Sequence, residues 1–303
     1  MIFLTKERTG ELLILLSSVL WGFFPVITIL TFSDVTPLYA AAISTLVSAV
    51  FFGFIVTWKK QWSFVHERRA WKGILLTSFY IGILFYGLIF VALRHTTAGN
   101  EAIMSLMEVF FSFLILGLLL KHEKLTVSHL AGGVCMVIGA AFILLPKVSG
   151  WYVGDLLVIL ATFFAPIGNK YTQDARKTVS SEFIMFCRSL ISGSFLLLLA
   201  AFLEPEPEFS SLRHSLGFFV ANGVLFLGVS KIFWIEGVHR IPITKAVSLE
   251  SIYPFFTLML AYVLLHEEVT GFQIAGLIPI VAGIFLLTAK LPRVPSVRWS
   301  LEG

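Results

Sequence analysis

The chain is poor in charge. Asp, Glu, Lys and Arg make up 13% of its 303 residues, about half of the roughly 25% usual in soluble domains. A water-soluble fold of this length needs a charged surface, and this sequence cannot supply one. Cysteine is nearly absent too. Cys135 and Cys187 sit inside apolar runs, at no spacing that suits a metal or a redox pair, so they read as small packing residues. There is no phosphate loop, no metal-ligand cluster and no nucleophile elbow, so no catalytic residue, metal or cofactor is expected. His122-Glu123 and His266-Glu267 resemble half of a zincin motif but lack the second His. The formal charge of +4 is spread over short segments between apolar runs, which excludes the clustered basic patch of a nucleic-acid binder.

What is abundant is membrane-grade sequence. Mean hydropathy is +0.91, and 30 Phe and 7 Trp suit side chains that face lipid and its interfaces. A helix needs about 20 apolar residues to cross the hydrocarbon core. Ten such runs are read at 11–31, 37–58, 72–93, 98–120, 127–145, 154–173, 180–203, 215–237, 242–264 and 271–290. The first is too long for a signal-peptide core and lacks a small-residue cleavage site, so it is read as a helix of the mature protein. The tail from Pro292 is short, polar and basic.

Lys and Arg set the orientation. With the N-terminus in the cytoplasm, 16 of the 22 fall on that side, and only Arg94, Lys147 and Arg213 on the other. Arg188, Lys231 and Lys245 stay within helices. The expectation is a multi-pass protein of the bacterial plasma membrane, with both termini cytoplasmic and the lipid bilayer as its first partner.

The chain also repeats itself at an offset of 144 residues. Gly10-Glu11-Leu12-Leu13 returns as Gly154-Asp155-Leu156-Leu157, His122-Glu123 as His266-Glu267, Ala131-Gly132 as Ala275-Gly276, and Gly139 as Gly283. Over residues 95–143, 13 positions are identical to the second copy. Apolar stretches match by accident, but the His-Glu, Ala-Gly and Gly pairs in one register do not come cheaply. Five spans per copy is an odd number, so the second copy enters the membrane from the opposite side. The fold class is thus an all-α integral membrane protein: ten transmembrane helices as two inverted five-helix repeats, 10–145 and 154–290, around a central cavity. Such halves exchange conformations readily, which is the geometry of alternating access.

Gly10–Leu16, Tyr86–Ala102 with His95-Thr96-Thr97-Ala98, Met107-Glu108, Leu120–Glu123 and Ala131-Gly132 to Gly139 resemble an EamA-type domain. Ile235–Ala246, Leu249-Glu250, Leu264–Glu267 and Ala275-Gly276 to Gly283 repeat the pattern. Two such domains define the drug/metabolite transporter superfamily. The resemblance implies a secondary carrier, often an exporter of amino acids or other small metabolites. Family members commonly carry Pro shortly after the Glu of the fourth and ninth spans; here Glu108 precedes Val109-Phe110, and Glu250 precedes Ser251-Ile252-Tyr253-Pro254.

Charges at membrane depth are costly and usually face a cavity or a partner. Glu108 falls near the middle of the fourth span, Glu101 is seven residues earlier on the same face with Ser105 nearby, and Glu250 lies inside the ninth. Glu108 and Glu250 each either touch the cavity or are held by a hydroxyl or backbone group as packing residues, while Glu101, nearer the outer interface, either touches the cavity or ends its helix in solvent. Arg188 reads first as a structural charge that neutralises one of them. Lys231 and Trp234 either line the cavity or, for Lys231, snorkel to the interface; Lys245 reads as snorkelling. Asn169 and Asn222 are neutral groups that suit cargo, and Tyr253 lies beside Glu250. The resemblance places Trp21, Tyr80 and Tyr86 in cavity-lining helices. Pro25, Pro166, Pro254 and Pro279 mark expected kinks, and the stripe Ala41, Thr45, Ala49, Gly53 a close helix contact.

Mixed carboxylate, cation and amide groups suit a zwitterion, so the favoured reading is export of an amino acid or related metabolite, with protons as a candidate coupling partner. Drugs or nucleotide-related metabolites are the alternative cargo. A channel or an intramembrane enzyme fits less well, because the polar groups are spread over unlike helices with no catalytic constellation.

Overall fold

In lipid every backbone N–H and C=O must be satisfied within the chain, so apolar runs fold as helices. The computed structural model describes residues 6–119, 127–144 and 153–288, and among the described residues there is no strand. The helices are α1 (Lys6–Thr31), α2 (Pro37–Trp58), α3 (Arg68–Leu93), α4 (Ala98–Gly117), α5 (Val127–Leu144), α6 (Val153–Ala175), α7 (Ser181–Leu203), α8 (Leu216–Val238), α9 (Ile243–Leu265) and α10 (Gly271–Thr288). Eight of them, α1–α4 and α6–α9, are long and apolar enough to cross a membrane. The other two expected spans appear as shorter apolar helices, Ala131–Leu144 and Gly271–Leu286, because both adjoin residues outside the described set. His122, Glu123 and the tail from Pro292 also lie outside it.

Local chemistry sets the helix starts. Pro37 occupies the first turn of α2, where a missing N–H costs nothing. Thr97 caps α4 by accepting from Asn100 N, and Ser180 caps α7 by accepting from Phe183 N. The Glu204 carboxylate accepts from Leu38 N and Tyr39 N at the start of α2.

Among the described residues, four of the helix pairs that join the two halves of the chain pack closely and antiparallel. Along α1 and α8, Gly10 faces Gly237 and Ile241, Ser17 Oγ donates to Ser230 O, and Thr28 Oγ1 donates to Asn222 Oδ1. Along α3 and α6, Gly154 faces Ala92 and His95, Gly168 faces Ile81, and Gly73 faces Tyr171 and Ala175. In α2 and α7, Leu46 meets Gly193 and Gly53 meets Phe186, while Ala41, Thr45 and Ala49 are buried, as the small-residue stripe requires. In α5 and α10, Gly139 abuts the Gly276 carbonyl and Gly283 the Gly132 carbonyl; a Cβ on Gly139 would lie 2.5 Å from Gly276 O. Only glycine admits that approach.

Several helices are interrupted at mid-length. Turns break α1 at Gly22-Phe23, α4 at Ser105-Leu106 and α9 at Ser251-Ile252, and Pro25 and Pro254 open the helical turns that follow. Pro166 and Pro279, expected as kinks, lie inside helices that continue through them. Wider π-helical turns occupy Ser78–Phe85 in α3 and Ala221–Val229 in α8, 143 to 144 residues apart at start and end. No proline announces them.

Candidate functional site

The interruptions surround a buried cavity of about 30 Å³ lined by Trp21, Ile81, Phe85, Tyr86, Glu108, Ala165, Asn169, Arg188, Lys231, Trp234 and Glu250. Seven helices from both halves of the chain contribute. The volume suits a water or two.

A chain of hydrogen bonds crosses one wall. Trp234 Nε1 of α8 donates to Asn169 Oδ1 of α6 at 3.0 Å, and Asn169 Nδ2 donates to Glu108 Oε1 of α4 at 2.9 Å. The amide therefore presents both of its faces to fixed partners, which settles its orientation. On the opposite wall Ser17 Oγ lies 3.5 Å from Glu250 Oε1, a contact at the limit of hydrogen-bond length.

The two cations are held by rings. Lys231 Nζ sits 3.2 Å from the centroid of the Trp21 ring, and Trp21 is itself stacked on Phe24 at 4.2 Å. Arg188 Cζ lies 5.7 Å from the centroid of Tyr86. Among the described residues neither cation forms an ion pair with a carboxylate. This corrects the expectation that Arg188 is neutralised by one. The cause lies in α3: Gly82, in its π-helical stretch, lets Arg188 Cγ and Ser192 approach its backbone, and the guanidinium reaches Tyr86 instead. Two carboxylates and two cations thus share one small cavity, where Lys231 feels the charge of Glu250 and Glu108 without a direct ion pair. Across the 144-residue offset Arg188 corresponds to Ser44 and Lys231 to Gly87, so both cations belong to one half alone.

The remaining candidates lie elsewhere. Tyr80 faces away from the cavity and stacks on Tyr171 at 6.3 Å. Asn222 bonds Thr28 of α1, and its Nδ2 is buried without a partner. Tyr253 donates from its hydroxyl to the Ala102 carbonyl at 3.1 Å, tying α9 to α4. Glu101 is buried in α4 outside the cavity lining. Lys245 pairs with Glu7 at 2.5 Å and with Glu11, and Arg176 and Arg240 both pair with Glu236. Sequence reasoning missed Ile81, Phe85 and Ala165, since apolar lining carries no signal in an apolar chain. Among the described residues no group of three or more His, Cys, Asp and Glu is placed to hold a metal ion.

The model of the EamA-like transporter family matches residues 8–145 and again 152–289. The chain belongs to the EamA-like transporter family. Among curated proteins it is similar to Uncharacterized transporter YoaV of Bacillus subtilis (strain 168), 23% identical over 91% of this chain and 95% of that protein. It is similar to Uncharacterized transporter YvbV of the same organism, 25% identical over 95% and 93%. An Uncharacterized transporter of Methanothermobacter thermautotrophicus is 23% identical over 88% and 86%. A solved crystal structure shares the fold with a TM-score of 0.69 at 18% identity, covering 93% of this chain and 98% of that one. The protein is an all-helical, multi-pass membrane transporter with two tandem EamA-like regions.

Proposed function

We propose that the protein is a secondary carrier that moves a small zwitterionic metabolite, amino acids first among them, through the central cavity by alternating access. The observation that carries this reading is the cavity's charge pattern. Glu108 and Glu250 offer partners for an ammonium group, Arg188 and Lys231 for a carboxylate, and among the described residues neither cation sits within ion-pair distance of a carboxylate. A zwitterion needs both signs within reach, and groups fixed away from bulk water interact more strongly than in it.

The helix contacts support the mechanical half of the proposal. Gly10 against the end of α8 is matched, 144 residues on, by Gly154 against the end of α3. The pair α5–α10 exchanges with itself, since Gly132 meets Gly283 while Gly139 meets Gly276. Two five-helix repeats of opposite orientation, 10–145 and 154–290, account for both facts and bring the span count to ten. The basic residues favour cytoplasmic termini.

A thermal-shift screen of purified protein against amino acids, nucleosides and organic acids tests the cargo class. Counterflow of the best hit in proteoliposomes tests the carrier. Glu108→Gln and Glu250→Gln are each expected to weaken binding of an amino-acid hit. Normal transport by both variants would remove the site assignment, and stabilisation by nucleosides alone would redirect the cargo to the nucleotide-related class.

A further inference from the structure

Glu101 has no place in the cargo cavity. Its residue is 1% exposed, it precedes the Ser105-Leu106 break in α4, and it is about 10 Å along the helix axis from Glu108 at 1.5 Å per residue. Oε1 accepts a hydrogen bond from Ser105 Oγ at 2.9 Å, whereas Oε2 is buried with no partner. An ionised carboxylate with one unpartnered oxygen in such surroundings is penalised by burial far more than a neutral carboxyl. The titratable groups that face it are Lys231 from α8 and Tyr253 from α9. Neither forms an ion pair or a hydrogen bond with its carboxyl among the described residues.

On its other side lies a polar network at the end of the bundle. The Glu267 carboxylate accepts from Ala98 N at 3.0 Å and Gly99 N at 3.1 Å. Gln273 Nε2 donates to Asn100 Oδ1 at 2.7 Å, Asn100 Nδ2 reaches Asp155 at 3.4 Å, and Thr96 Oγ1 donates to Asp155 Oδ1. Glu101 is thus one residue from a hydrophilic end and two turns from the cavity. Its partner in the repeat, Lys245, instead sits in an open ion-pair cluster with Glu7 and Glu11.

We infer that Glu101 is a proton-binding site separate from the cargo cavity, which loads a proton from one side of the membrane and releases it to the other. The inference rests on the carrier reading and adds the coupling ion's station to it. No bond other than the O–H of the carboxyl forms or breaks, and the proton's source and sink are the two bulk waters.

Two readouts test it. Infrared titration of the purified full-length protein is expected to show a carboxyl band that changes with pH and is missing in Glu101→Gln. Removal of the single donor by Ser105→Ala is expected to shift the pH at which that band titrates. In proteoliposomes, counterflow of radiolabelled neutral amino acids is expected to survive Glu101→Gln, while accumulation driven by a pH gradient falls to the level reached without one. An infrared band that ignores Glu101→Gln, or gradient-driven accumulation that survives it, would overturn the inference. Wild-type protein without counterflow would count against the carrier reading, and the infrared titration would still decide Glu101. Should Glu101→Gln not fold, the Ser105→Ala titration decides alone, and an unmoved band overturns the proposal.

Discussion

Replacing Asn169 by Leu removes a side chain that bridges three helices at the cavity. The substitution keeps roughly the same volume and deletes two hydrogen bonds, from Trp234 Nε1 at 3.0 Å and to Glu108 Oε1 at 2.9 Å. Side-chain hydrogen bonds between membrane helices average about 0.6 kcal/mol and reach about 1.7, so two give a loss between about 1 and 3 kcal/mol. The upper part of the range is expected, because the change also strands a carboxylate and an indole N–H in a buried site. Unfolding in mixed micelles, followed by tryptophan fluorescence, measures the loss. A cycle with Glu108→Leu isolates the pair: a coupling of about 0.5–3 kcal/mol is the expected range for groups in direct contact. Asn169→Asp should cost more than Asn169→Leu, since it sets a second carboxylate against Glu108. Asn169→Leu within about 0.3 kcal/mol of wild type, the scatter seen for independent sites, would refute the bridge.

Two further substitutions probe the packing. Gly139→Ala places a methyl group 2.5 Å from Gly276 O and 2.6 Å from Ile280 Cγ1; overpacking of this kind costs about 1–3 kcal/mol, so the melting temperature should fall, whereas Gly217→Ala, where a Cβ meets nothing within 4 Å, should leave it unchanged. Trp21→Leu removes the ring under Lys231, worth about 2 kcal/mol when desolvated. Chemical unfolding should show that loss, with Trp21→Phe recovering part of it.

Much of this architecture is legible in the residues because lipid leaves few options. Glu108 and Glu250 stand out since a carboxylate at membrane depth has to face something polar. Gly139 and Gly283 stand out since two backbones in contact admit no Cβ. The π-helical turns at Ser78–Phe85 and Ala221–Val229 are not legible: an extra residue per turn leaves no mark in an unbroken apolar run. That rotation decides which side chains look inward, and it is why Ile81 and Phe85 line the cavity while Tyr80 turns to Tyr171. Arg188 was visible as a charge, but its partner was not. Choosing a ring over a carboxylate depends on how closely α7 crosses Gly82, a distance no linear pattern encodes.

Position 188 is arginine where its register mate 44 is serine, and position 231 is lysine where 87 is glycine. In the proposed cycle, swapping the roles of the two repeats does not restore the cavity's charges. In the proposed alternating-access cycle the conformers open to either face therefore differ in electrostatic energy, and the empty protein is expected to rest with a preferred doorway. Unmatched residues at the centre of the bundle, Glu108 and Glu250 among them with Ile252 and Leu106 as their mates, then contribute to that bias.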